Sequence, residues 1–325
     1  MARDDAWLNL RSLRYQPPAY ATSGGRRSMF RASLEQCEQF LAAAESSGYA
    51  TRPVHLFYAL SQGSRALVAA SPRIGNQQWQ VTGHGLSMVS AAPSIGDVAV
   101  KPTGNGLFQA LAVSLGAESL AEDAAVTVGE LWTAVPLPAG TPPLSAAAIH
   151  SVLAFMPPSW PRDEPFCEAR AAWILPDVEK SYGSDAAGLK AHFDRYPALR
   201  NTRWETGGDG KARWDRSDLV SSLRFYWDDR NGLQTMSGLG VVQYSGRDDY
   251  LITPSMPGMT SGLHPVLAWW AVLLALSSMA RYEPTSWSRM IDVDACAEAV
   301  AVERLLDAAL SEIPGMLLHA LRLLR

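Results

Sequence analysis

The stretch Pro265–Ala280, PVLAWWAVLLALSSMA, constrains this chain more than any other. It has no polar face, so no helix it forms can sit at a surface as an ordinary amphipathic element. It is also shorter than the roughly 20 apolar residues that cross a bilayer, and Arg281 follows at once. A helix of this kind is expected to be buried inside protein on most sides, which makes it the central core element of a fold that must surround it. The rest of the composition allows this: 47% of the 325 residues are hydrophobic and 18% charged, an ordinary globular balance. A chain of this length builds a self-sustaining core without staples. The three cysteines, Cys37, Cys167 and Cys296, are far apart and odd in number, which speaks against a disulfide framework and for a reducing cytoplasm.

Three regions can be read along the chain. Residues 1–135 form an N-terminal helical region. In it Phe30, Leu34, Cys37, Phe40 and Leu41 recur at helical spacing before Gly48, and a second helix runs from Thr51-Arg52-Pro53 to about Ala70. Thr51 suits the N-cap and Pro53 the first turn. A strand is expected over Trp79–Thr82, then the loop Gly83-His84-Gly85-Leu86, then short elements near 97–100, 106–115 and 127–132. Residues 136–263 are punctuated by prolines. They carry strand-like runs at 168–175, 219–227, 239–244 and 249–253, the last two joined as a hairpin through Gly246-Arg247-Asp248. Residues 264–325 are helical again: the apolar helix ends at Glu283-Pro284, a second helix spans about 295–311, and a third starts near Pro314. The expected fold class is α+β and predominantly helical, with the N- and C-terminal regions packed together and an antiparallel β-containing middle insert.

Candidate functional residues cluster on the second helix. His55, Tyr58, Gln62 and Arg65 are spaced i, i+3, i+7 and i+10, so they share one face of an otherwise apolar helix. Such a face is either solvated, or a satisfied structural network, or the lining of a cavity or partner surface; Arg52 just before it could join. His84 between two glycines is the candidate acid–base or ligand-binding histidine. Arg281 and Tyr282 close the apolar helix, where the arginine caps the helix dipole, pairs with Glu283, or serves a binding site.

Several chemistries find no motif. The sequence contains no phosphate-binding G-x-x-x-x-G-K-[ST], no dinucleotide-binding G-x-G-x-x-G after a strand, and no G-x-S-x-G nucleophile elbow. The six histidines are scattered without metal-ligand spacing, so neither a metal nor another cofactor is called for. A net charge of −4 provides no global basic field, so dedicated DNA binding is not expected. The N-terminus lacks a signal-type apolar core, and no membrane partner is expected.

The motifs Ala50-Thr51-Arg52-Pro53, Phe57-Tyr58-Ala59-Leu60 with Gln62 and Arg65-Ala66, and Gly83-His84-Gly85-Leu86 resemble the YaaC-like family of bacterial proteins. So does Leu276-Ser277-x-Met279-Ala280-Arg281-Tyr282-Glu283-Pro284-x-x-Trp287. The likeness covers roughly residues 30–100 and 264–325. The Tyr-Ala-Leu…Arg-Ala helix also resembles helices of HEPN-type proteins, which are helical, often dimeric, and common in defence and toxin systems. Catalytic HEPN ribonucleases carry an arginine and a histidine with four to six residues between them. No such pair exists here: Arg52 and His55 are too close, and Arg65 and His84 too far apart. These resemblances imply a non-catalytic interaction or sensing module that binds a partner protein, a second copy of itself, or a ligand. The alternative is an enzyme handling RNA or a nucleotide, with His84 as acid–base and Arg52 or Arg65 on phosphate. A third reading, a component of a larger assembly, rests on the aromatic pair Trp269 and Trp270.

Overall fold

In the computed structural model, residues 3–324 are described except 76–77, 91, 139–140, 142–143, 145–151, 157–165, 175, 184, 201, 217–220, 229–241 and 244–249. The chain opens with helices α1 (Arg3–Tyr15), α2 (Gly24–Glu45) and α3 (Arg52–Ala70). A short sheet with two helices follows: β1 (Leu86–Ser90), β2 (Ala99–Pro102), α4 (Leu107–Leu115), β3 (Val126–Thr127) and α5 (Val128–Trp132). The middle region contains β4 (Leu153–Met156), β5 (Phe166–Ile174), α6 (Pro176–Tyr182), α7 (Ala186–Phe193), β6 (Thr202–Trp204), β7 (Trp214–Arg216), β8 (Ser221–Asp228), β9 (Val242–Gln243) and β10 (Tyr250–Ile252). Helices α8 (Pro265–Tyr282), α9 (Pro284–Met290) and α10 (Ala299–Leu323) end it. The architecture is a predominantly helical α+β fold.

Helix α8 is buried along its whole length from Pro265 to Met279, with Trp269 and Trp270 fully enclosed. It passes the length and composition test for a membrane span, yet 83% of it lies inside the protein. Each of its large side chains gains roughly 1.5–3 kcal/mol from leaving water. Helices α3, α4, α5 and α9 and strands β1 and β2 surround it. Helix α10 packs on α1, α2 and α3, so N- and C-terminal helices share one core.

Two arginines stitch α2 and α3 into an antiparallel pair. Arg26, at the start of α2, donates to the carbonyls of Ala69, Ser71, Ile74 and Gly75 beyond the end of α3. Arg52, at the start of α3, donates to the carbonyls of Ala44 and Ser47 at the end of α2 and to Asp307 of α10. Helix C-termini leave carbonyls without intrahelical donors, and a guanidinium answers both that need and the negative end of the dipole.

The two sheets are antiparallel: β1-β2-β3, and β6-β8-β5-β4-β10-β9 with β7 also on β8. Helices α6 and α7 contribute Val178, Leu189 and Phe193 to a second core, shared with Leu223 and Phe225 of β8. Strand alternation on β10 joins the two cores, since Leu251 belongs to the main one and Ile252 to that of the sheet.

Three local expectations change and a fourth holds. Trp79–Thr82 is not a strand; β1 starts at Leu86, because the carbonyls of Gly83 and His84 accept from Leu107 and Phe108 of α4 instead of from a sheet neighbour. Thr51 occupies the N-cap position but its side chain makes no capping bond. The expected third C-terminal helix does not exist: Pro314 lies buried inside the continuous α10, where packing compensates for the missing N–H. Strands β9 and β10 pair as expected, while the connecting residues 244–249 lie outside the described ones.

Gly63 marks the tightest point between α3 and α10, since a β-carbon there would collide with the buried Leu317. Gly63→Ala should gain up to about 1 kcal/mol in helix propensity and lose roughly 1–3 kcal/mol to overpacking. The expected outcome is a lower melting temperature; an unchanged or higher one would show that α10 can move away without cost.

Candidate functional site

The polar face of α3 is half-buried while the rest of the helix is enclosed. Tyr58 stacks on Phe40 of α2, centroids 5.4 Å apart, and its hydroxyl lies 3.4 Å from Arg281 Nη1 at the end of α8. The Arg281 guanidinium sits between two phenol rings, 5.8 Å from the centroid of Tyr58 and 4.8 Å from that of Tyr282. Its Nε donates to the Ser277 carbonyl, so the expected capping role is present. No pairing with Glu283 occurs, and Nη2 has no acceptor among the described residues.

Arg65, two turns along α3 from Tyr58, donates from Nη1 to the Val81 carbonyl at 2.5 Å. Its Nε and Nη2 have no acceptor among the described residues. Desolvation lowers its pKa, with no neighbouring acid to restore it. Gln62 lies on the same face by helical spacing, half-buried and without a hydrogen bond among the described residues.

His84 completes the cluster. Its ring packs edge-on against Phe57, centroids 5.2 Å apart, and lies 6.2 Å from Trp270 of the core helix. The backbone is pinned rather than free, contrary to the mobility its two glycine neighbours suggest. The Gly83 and His84 carbonyls accept from Leu107 and Phe108, each at 2.9 Å, and the Gly85 carbonyl accepts from Thr103 N and Gln109 Nε2. Gly85 has φ +83°, and Gly106 approaches so closely that a β-carbon on it would overlap the backbone of Gly85 and His84. Burial lowers the His84 pKa, and the charges of Arg281 and Arg65 lower it further, so the ring is neutral at pH 7. Nδ1 is buried without a partner. An orphaned N–H is costlier than an orphaned lone pair, which assigns the proton to Nε2, the nitrogen left open to solvent.

The remaining candidates lie apart from this cluster. Arg52, at the opposite end of α3 and about 20 Å from Arg65 by helical rise, is held by Asp307 and two carbonyls, with its guanidinium over Tyr49. That is a structural role, which removes it from phosphate binding beside His84. His55 is half-buried one turn before Tyr58, with no hydrogen bond among the described residues. The spacing on α3 signals Tyr58, Gln62 and Arg65. Nothing in the sequence marks Phe57 and Trp270 as the apolar backing of His84, because both read as core. A small, partly open pocket elsewhere, lined by Arg73, Ser114, His264 and His319, does not reach the cluster. Among the described residues no group of side chains could hold a metal ion.

A half-buried cluster backed by aromatic rings, with a neutral histidine and two arginines that have no carboxylate partner among the described residues, is equipped to receive an anion. A model of the YaaC-like protein family matches residues 7–321, and the chain belongs to that family. No curated protein and no solved structure matches it.

Two outcomes test this geometry. Gly106→Ala should lower stability by about 1–3 kcal/mol and shift the His84 ring resonances, because backbone has to move to admit the methyl group; a wild-type spectrum would refute the close approach. In an NMR titration His84 should protonate below the usual value of about 6.5 and move up in Arg281→Ala, since removing a nearby positive charge favours imidazolium. By linkage the folded state binds fewer protons than the unfolded one below pH 6.5, so His84 costs stability as the pH falls through that range. A midpoint unchanged in Arg281→Ala would place the arginine too far away to matter.

Proposed function

We propose that this YaaC-like protein is a sensing or interaction module that works inside the cell and recognises a phosphate-bearing anion between α3, the Gly83–Gly85 loop and the end of α8. One observation carries this reading: Arg65 and Arg281 both flank His84, both keep unused N–H donors, and neither has a carboxylate partner among the described residues. A guanidinium held partly out of water without a counter-charge is stabilised by whatever anion supplies one. Its planar fork of donors matches phosphate oxygens. Neutral His84 adds the Nε2–H as a third donor. Arginines elsewhere in the fold do have partners: Arg11 pairs with Glu38 and Arg213 with Glu205, while Arg26 has its fork filled by carbonyls.

The experiment is calorimetric titration with inorganic pyrophosphate at low salt. Wild type should bind, and Arg65→Ala and Arg281→Ala should each weaken binding by roughly tenfold or more, the worth of a charge-assisted hydrogen bond, with melting curves confirming that both variants fold. Absence of binding by wild type, or full retention by both variants, overturns the reading.

A second reading is favoured by the depressed, unpartnered His84: an RNA- or nucleotide-directed hydrolase, akin to HEPN enzymes, in which this imidazole takes the opposite tautomer, so that the solvent-facing Nε2 is the general base. Turnover of RNA lost in His84→Ala while pyrophosphate still binds would establish it; binding without turnover leaves the sensing module.

A further inference from the structure

The aromatic edge of the same cluster says more about its ligand. Tyr282 is 67% exposed, yet it is held in position. The Arg281 guanidinium covers one face at 4.8 Å, and Nη1 lies 3.3 Å from the Tyr282 hydroxyl. Tyr58, the other phenol against Arg281, has Phe40 stacked on it and is only half-buried, so it offers no open face of comparable size. The cluster therefore presents one oriented, solvent-facing ring beside Arg281, one of the two arginines that lack a counter-charge among the described residues. Inorganic phosphate or pyrophosphate would leave that ring unused.

We infer that the cluster takes a nucleoside phosphate, its phosphate held by Arg65 and Arg281 and its base stacked on the open face of Tyr282. Stacking on an aromatic side chain tolerates any base, because every base has a π-face. The ring is pre-oriented by the cation against its back, so little side-chain freedom is lost on binding. This inference rests on the anion-binding reading and adds the base to it.

The test compares AMP with ribose 5-phosphate, which carry the same phosphate and sugar and differ only in the base. Calorimetry on the full chain should show AMP binding at least roughly fivefold tighter. That advantage should vanish in Tyr282→Ala and persist in Tyr282→Phe, whose ring still stacks. Saturation-transfer NMR should show contact at the adenine protons in wild type and not in Tyr282→Ala. Equal affinity for the two probes in wild type, or an AMP advantage that survives Tyr282→Ala, overturns the base site while the anion site stands. Failure of ribose 5-phosphate, AMP and pyrophosphate alike to bind wild type removes both.

Discussion

A helix with no polar face has to be covered on every side, and the fold is the solution to covering α8. Its 18 residues expose nothing substantial before Ala280, so helices and strands from both ends of the chain must close around it. This explains why the C-terminal segment is not a separate body. It also explains why the polar side chains of α3 collect along a single line: the remaining circumference of that helix is committed to α2, α4, α8 and α10. The line of contact between α3 and α8 runs out where α8 ends, and Tyr58 meets Arg281 there.

The arginines separate into two kinds by what answers their charge. Arg26 and Arg52 are consumed by helix-end carbonyls and, for Arg52, by Asp307; removing either would strip partners from buried backbone. Arg65 makes one hydrogen bond to the fold and Arg281 three, and both leave Nη2 without an acceptor among the described residues. In a chain whose net charge is −4, a local cationic pair with no acid paired to it among the described residues is a specific arrangement and not the spill-over of a basic surface. The neutrality of His84 follows first from its burial and then from the same pair, since two nearby positive charges oppose a third.

Much of this was legible in the sequence because it rests on periodicity. The i, i+3, i+7, i+10 spacing identifies the α3 face, and the loss of apolar character after Ala280 marks where Arg281 emerges. What periodicity does not carry is competition for hydrogen bonds. Arg52 and Arg65 look equivalent in one dimension; only the folded chain shows that the first faces exposed carbonyls of α2 while the second faces one carbonyl of a loop. Trp79–Thr82 has strand chemistry, but α4 takes the carbonyls just beyond it. Pro314 reads as a helix start on local rules, and burial on α10 overrides them. His84 carries a different signal: flanking glycines suggest freedom, whereas Gly85, with Gly106 against it, allows backbone to touch backbone.

Tyr58 and Arg281 are 223 positions apart in the chain. The cluster is therefore a late product of synthesis. A chain still on the ribosome, with α1 to α5 already emerged, holds the α3 face and the Gly83–Gly85 loop but neither the second guanidinium nor the ring of Tyr282. A chain terminated before Arg281 cannot assemble it.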